Sequence, residues 1–266
     1  NLYNGNIRNI ALSADKINPK TIGYSYGYDQ LNRLVSMDPY SSFSGTNYEW
    51  PTTSNPLKDY RERVTYDANG NILTYNRHGE GTTWKMDSLE YNYYTDKNRL
   101  HYVDDKVSAG NYPEDIDDQS SGNYTYDASG NLITDTKEGI TKIEWTTYGK
   151  VKKIIKSGTT LTFSYDPAGN RIYKKVATTG QPNVFTYYIR DAQGNIMSTY
   201  VLKSDTVRWS EQMMYGSSRL GIVNLNEITA PLTFNPTDTT TTGYLEGLKN
   251  YELTNHLGNV QAVVSD

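Results

Sequence analysis

The chain has 266 residues and a formal net charge of -4, with a pI near 5.5, so it lacks the basic balance that holds phosphates and is not expected to bind nucleic acid. It contains no cysteine, which excludes disulfides and thiolate metal sites, and no run of about 18 apolar residues that would span a membrane. Tyrosine, with 25 residues against 4 phenylalanines, supplies large apolar bodies whose hydroxyls tolerate a half-wet sheet face; a core built on it points to thin, extended layers.

The N-terminal stretch NLYNGNIRNIALS has no basic-then-apolar signal pattern. Like the final QAVVSD, it reads as the interior of a longer polypeptide. A unit YDQLNRL begins at Tyr28, followed by YSSFSGTNYEWPTTSNP (Tyr40 to Pro56), an excursion from the sheet that Trp50 would pin. YDANGNI at Tyr66 and YTDKNRL at Tyr94 repeat the unit. VDDKVSAGNYPEDIDDQSSG (Val103 to Gly122) reads as an acidic loop. Then come YDASGNL at Tyr126, WTTYGKV at Trp145, YDPAGNR at Tyr165, IRDAQGN at Ile189 and YGSSRLG at Tyr215. A Thr-rich loop, LTFNPTDTTTTGYLEG (Leu232 to Gly247), precedes LTNHLGN at Leu253. The turn glycines 130, 149, 169 and 194 lie 19, 20 and 25 residues apart, the spacing of a short structural repeat.

One unit carries its own physics. In NYTYDASGNLITDT, Tyr124 and Tyr126 lie two apart and share one face of a strand. Asp127 caps a tight turn, because a carboxylate there can accept from backbone N–H groups two residues on. Gly130 supplies the positive φ of a type I turn followed by a bulge, and Leu132, Ile133 and Thr134 begin the return strand. Pro167 stands where a type I turn wants a fixed φ. The same reading makes Asp29, Asp67, Asp166 and Asp191 turn caps, with Gly70, Gly169, Gly194 and Gly258 as turn glycines. No segment keeps helical apolar spacing beyond about two turns. The expected fold class is all-β: repeated antiparallel hairpins forming one curved or spiralling sheet.

These units resemble the YD repeats of Rhs proteins, and YELTNHLGNVQAVVSD resembles the opening of the Rhs core segment with its D/N-H-L-G-S/N-V motif. The resemblance covers essentially the whole chain. It implies a long antiparallel ribbon that spirals into a hollow shell, which in bacterial members encloses a variable C-terminal toxin and in animal relatives serves cell adhesion. It also implies that, beyond the motif at Asn255 to Val260, a plug and an aspartyl self-cleaving segment would follow. Residues 1–250 are expected to form the repeat sheet and 251–266 the start of the core segment. The remainder of the same polypeptide (further repeats, plug and payload) is the expected partner.

The candidate chemistry is thin. Histidines 78, 101 and 256 stand in unrelated contexts; His256, within the core motif, is read as a side chain that locks its loop. Asp104, Asp105, Glu114, Asp115, Asp117 and Asp118 gather acids that could attract calcium, but their spacing is not that of an EF-hand, and a solvated loop is the preferred reading. The repeated aspartates are equivalent, whereas a glycosidase pair needs two acids in different environments. Trp50, Trp84, Trp145 and Trp209 are candidate sugar-stacking platforms, with core packing preferred. Asn123-Tyr124-Thr125 is an N-x-[ST] sequon, and Ser88, Thr206 and Thr239, each after an aspartate, are candidate O-glycosylation acceptors. The expectation is a non-enzymatic shell segment without cofactor or metal, exported to the surface or exterior of a Gram-negative bacterium. The alternative is an adhesion or glycan-binding scaffold that contacts other surface proteins or is held as cargo by an outer-membrane secretion machine.

Overall fold

The computed structural model describes residues 5–14, 18–41, 56–113, 115–225, 248–254 and 258–265. The excursion after Ser41 and the Thr-rich loop at 232–247 lie outside the described residues. The protein is all-β, with antiparallel strands in chain order, and divides into two compact units, Asn1–Thr125 and Tyr126–Asp266.

A seven-stranded meander is built from β1 (Asn9–Ala14), β2 (Asn18–Tyr28), β3 (Leu34–Ser41), β4 (Glu62–Tyr66), β5 (Ile72–His78), β6 (Lys85–Tyr93) and β7 (Leu100–Asp105). A 3-10 turn, Gly81–Thr83, lies between β5 and β6. The second sheet has twelve strands. They are β8 (Tyr124–Tyr126), β9 (Leu132–Asp135), β10 (Ile140–Trp145), β11 (Val151–Lys156), β12 (Thr159–Tyr165), β13 (Arg171–Thr178), β14 (Val184–Arg190), β15 (Ile196–Lys203), β16 (Thr206–Tyr215), β17 (Arg219–Asn224), β18 (Lys249–Thr254) and β19 (Val260–Ser265). In each sheet neighbours in sequence are neighbours in space, so antiparallel hairpin turns join most strands, with longer connections from Ser41 to Glu62, Asp105 to Tyr124 and Asn224 to Lys249.

The YD turns share one geometry. The backbone N–H of Asp67 donates to Asn71 O at 2.9 Å and that of Gly70 to Asp67 O at 3.2 Å. The same pair of bonds closes the turns at Asp29, Asp127, Thr146, Asp166 and Asp191. Gly70, Gly130, Gly149, Gly169 and Gly194 sit at φ between 77° and 94°, and Asn32 takes that position at 62° in the first turn. This is a type I turn closed by a one-residue bulge. The bulge shows as a register shift beside Tyr28, Tyr66, Trp145, Tyr165 and Arg190. Because strands alternate in direction, all YD turns of a sheet fall along the same edge.

In β4, β6, β10, β12, β14 and β16 the bulge aims the last side chain of the strand back over the preceding strand, where it donates to that strand's first carbonyl. Tyr66 Oη reaches Leu34 O at 2.8 Å, Tyr93 Oη reaches Ile72 O at 2.8 Å and Tyr165 Oη reaches Val151 O at 2.8 Å. Tyr215 Oη reaches Ile196 O at 2.9 Å. Trp145 Nε1 does the same to Leu132 O at 2.8 Å, and Arg190 Nη2 to Arg171 O at 3.0 Å. Tyr28 Oη donates to Ile7 O at 2.8 Å, just ahead of β1. In the third unit the donor is Tyr93, not Tyr94. Tyr94 instead holds the acid's backbone position, its N–H bonding to Arg99 O at 3.0 Å, so this turn is one residue longer.

Fully buried apolar side chains are few among the described residues: Pro39, Val64, Leu89, Val103, Ile143 and Met213. Polar Ser198, Thr199 and Ser210 are as deeply buried. Apolar side chains such as Ile189, Val207, Trp209 and Leu253 stay exposed. Half-buried side chains along the strands, cross-strand pairs and the bonds that tie one unit to the last therefore contribute alongside this small core. Tyr66→Phe and Tyr165→Phe should each lower stability by about 1 kcal/mol, read as a shift of the urea midpoint with an unchanged far-ultraviolet spectrum. At Gly70, where a Cβ would meet only Arg33 Nη1 at 3.9 Å, the cost of substitution is backbone strain. Gly70→Asn should therefore lose less stability than Gly70→Val in the same assay.

Candidate functional site

The turn aspartates form one recurring site. Asp67 Oδ1 accepts the Asn71 N–H at 2.8 Å, and Oδ2 accepts Asn71 Nδ2 at 2.8 Å. Asp127 holds Asn131 in the same way, Asp166 holds Asn170 and Asp191 holds Asn195. Asp29 holds the Arg33 N–H at 2.9 Å and its Nε at 2.6 Å. The asparagine thus clamps the acid as well as starting the return strand. Bonds from Asn71, Asn131, Asn170 and Asn195 hold the carboxyls of Asp67, Asp127, Asp166 and Asp191 below the ordinary aspartate value. The Arg33 backbone N–H does so first for Asp29. Successive turns also touch: Asn6 Nδ2 donates to Asn32 Oδ1 at 3.3 Å, Arg33 Nη1 to Asp67 O at 3.0 Å, and Asn71 Nδ2 to Asn98 Oδ1.

A second site lies in the first unit, where β5, β6 and β7 meet the segment that follows them. Arg77 on β5 faces Asp87 on β6 across the ladder, and its Nε donates to Asp87 Oδ2 at 2.5 Å. Asp87 is 2 % exposed and Asp105 7 %. Asp105 Oδ1 accepts the N–H of Ser88 at 2.8 Å and that of Val107 at 3.1 Å. Beyond β7 the chain returns along its edge: Gln119 N–H donates to Val103 O at 3.0 Å, and Gln119 Oε1 accepts the Val103 N–H at 2.9 Å. This return brings Asp115 to the two strand acids, one carboxylate oxygen from each of Asp87, Asp105 and Asp115 lying within 4.8 Å of the others. Burial pushes the Asp115 carboxyl up, and the charges of Asp87, Asp117 and Asp105 add to that. The expected solvated acidic loop is therefore corrected at Asp105, Asp115 and Gln119. Asp105 and Gln119 are buried and Asp115 is half-buried, because hydrogen bonds from Gln119 pin the segment to an otherwise open strand edge.

Beside Asp87 opens a cleft of about 580 Å³ whose lining includes Arg61, Arg63, His78, Trp84, Lys85 and Lys106. Arg61 Nε lies 3.2 Å from Asp38 Oδ1 but off the hydrogen-bond direction. His78 Nδ1 donates to Lys58 O at 2.7 Å, and its ring packs edge-on to Trp84 with centroids 4.4 Å apart. His101 packs on Tyr94 at 4.2 Å. Glu114, His256, Trp50 and Thr239 lie outside the described residues. Gly258 sits at φ 81° between β18 and β19. Ser88 is half-buried inside β6, whereas Thr206 is exposed where β16 begins, after a tight turn with Ser204 and Asp205 at φ 49° and 60°. Asn123 of the sequon is buried, with Nδ2 donating to Gln119 Oε1 at 3.2 Å. Trp145 is held by its staple, while Trp209 is 44 % exposed and stacks on Tyr200, rings 6.3 Å apart and 14° from parallel. The pairing Tyr173–Tyr187–Tyr200–Trp209 runs across β13 to β16. Sequence spacing could have suggested this row only once the strand register was known.

No family model matches the chain, and no curated protein matches it in sequence. Among solved structures it is similar to the crystal structure of TcdB2-TccC3, at 14 % identity and a TM-score of 0.39. The alignment covers 92 % of this chain and 15 % of that one.

Because hydrogen bonding lowers the turn aspartates' pKa in the folded state, the unfolded chain binds more protons in acid. The stability they contribute is full above the ordinary aspartate pKa of about 4 and is lost as pH falls through their folded values. A carboxyl-carbon NMR titration should show Asp67, Asp127, Asp166 and Asp191 titrating below that ordinary value. Asn71→Ala should move Asp67 back towards it.

Proposed function

We propose that the chain is a non-enzymatic wall segment of a secreted Rhs/YD-repeat protein of a Gram-negative bacterium, and that the wall encloses or carries a C-terminal payload such as a toxin. The observation that carries this reading is the staple. Equivalent positions in successive units are committed to bonding one hairpin to the hairpin before it, so the repeated sequence is a recipe for lengthening a sheet. A sheet extended in this way exposes a broad area of backbone ladder and apolar side chains, as at Ile189, Val207 and Leu253. More chain of the same kind, or a payload, would cover such a surface. The repeated acids, the residues most suited to catalysis, are already engaged as turn clamps.

The aromatic row, in which Tyr187 and Trp209 are exposed, favours a second reading, adhesion or glycan binding at the cell surface. Tyr187 and Trp209 offer ring faces of the kind that stack on sugars.

Denaturing mass analysis and peptide sequencing of the native polypeptide test the two. A chain running on past Asp266 into a terminal domain, protease-resistant only while residues 1–266 are attached, is the expected result. A polypeptide ending near Asp266, together with glycan-array binding abolished by Trp209→Ala, would replace the wall with the adhesion reading.

A further inference from the structure

We propose that Asp87, Asp105 and Asp115 form a binding site for one calcium-class divalent cation that fastens the segment after β7 to the sheet. The inference stands independently of the wall reading, since it concerns only the first unit.

Oxygen ligands of a calcium ion lie about 2.4 Å from the metal, so any two of them are at most about 4.8 Å apart. The three carboxylates meet that limit for every pair. Acids alone often cluster without a metal; what distinguishes this cluster is an oxygen with nothing else to do. The Asp87 side chain is fully withdrawn from solvent. Its Oδ2 takes the Arg77 Nε, while its Oδ1 is buried and accepts no hydrogen bond. Asp115 Oδ1 is likewise buried without a donor. Unsatisfied carboxylate oxygens withdrawn from water and set beside like charges are among the costliest arrangements a fold can hold. A hard cation answers both defects at once, by accepting the lone pairs and by cancelling the charge.

The charge count agrees. Three carboxylates carry three negative charges and Arg77 returns one, leaving two for a divalent ion to balance. Asp105 is oriented for the task, because the Ser88 and Val107 N–H groups hold its Oδ1. The ligand set is all carboxylate oxygen, the chemistry of calcium rather than of zinc or copper. Water and backbone carbonyls would complete the six to eight ligands calcium takes.

The consequence is local. Asp87 and Asp105 belong to adjacent strands and Asp115 to the returning segment, so the ion would join three stretches of chain and cover the edge of β7. Binding to the folded state alone raises stability in proportion to the logarithm of ligand concentration over Kd.

The test is calcium titration of the intact 266-residue chain after chelator treatment, by calorimetry and thermal melting. The expected result is one ion per chain, a melting midpoint several degrees higher in 1 mM calcium chloride than in EGTA, and slower proteolysis within residues 106–123. Asp115→Asn, which keeps the shape and lies outside the strands, should weaken binding at least tenfold. Asp104→Asn, whose carboxylate pairs with Lys106 instead, should bind as the parent does. A parent chain indifferent to calcium would overturn the proposal. So would Asp115→Asn binding as tightly as the parent, or a calcium-blind parent that Asp115→Asn stabilises, which would assign the cluster a shared proton instead.

Discussion

The structure depends on a hydroxyl landing on a carbonyl. At the ends of β2, β4, β6, β10, β12, β14 and β16 a one-residue bulge turns the final side chain back across the sheet. A donor of suitable reach then closes on a carbonyl at or just ahead of the start of the preceding strand. Tyrosine supplies the donor at residues 28, 66, 93, 165 and 215, tryptophan at 145 and arginine at 190. What the repeat preserves is a long side chain whose donor reaches back from the bulge to a carbonyl at the start of the adjacent strand. The carbonyls it satisfies stand at strand ends, where the regular ladder leaves an acceptor open.

The bulge that aims the donor is itself a product of the turn. Aspartate, glycine and asparagine act there as one device: glycine admits the positive φ, aspartate gathers the N–H groups that the tight path exposes, and asparagine returns its amide to the same carboxylate. Each bond is a charge-assisted one at a partly solvated site. Where a member is missing, another chemistry fills the place. Asn32 adopts the positive φ, Arg33 clamps Asp29, and Thr146 Oγ1 accepts the Lys150 N–H at 3.0 Å. The turn and the staple are therefore coupled, since losing the bulge would point the aromatic away from its carbonyl.

The acid cluster of the first unit obeys a different logic. Its members come from Asp87 and Asp105 on neighbouring strands and Asp115 on the returning segment, and none belongs to the repeating set. Their environment follows from Gln119, whose backbone and side chain both bond to Val103, and from Leu89 and Val103, buried to 1 % and 2 % exposure beside them. Seventeen residues separate Ser88 from the carboxylate that caps its N–H, a relation that strand pairing creates and local sequence does not announce.

From sequence alone, the class of the fold, the hairpin as its unit, and the Asp and Gly positions of the turns were legible. These are properties of five or six adjacent residues: alternation along a strand, a carboxylate within reach of nearby N–H groups, and a residue that tolerates positive φ. Tertiary structure alone decided which carbonyl each aromatic meets, that Tyr93 rather than Tyr94 is the donor in the third unit, that the aromatics from Tyr173 to Trp209 form one row, and that Asp87 joins Asp105 and Asp115. Each of these depends on strand register, and register is set by bulges that add one residue at a time. A shift of a single residue carries a side chain to the other face of the sheet, so residue types can name the turn while only the paired strands can say what it brings together.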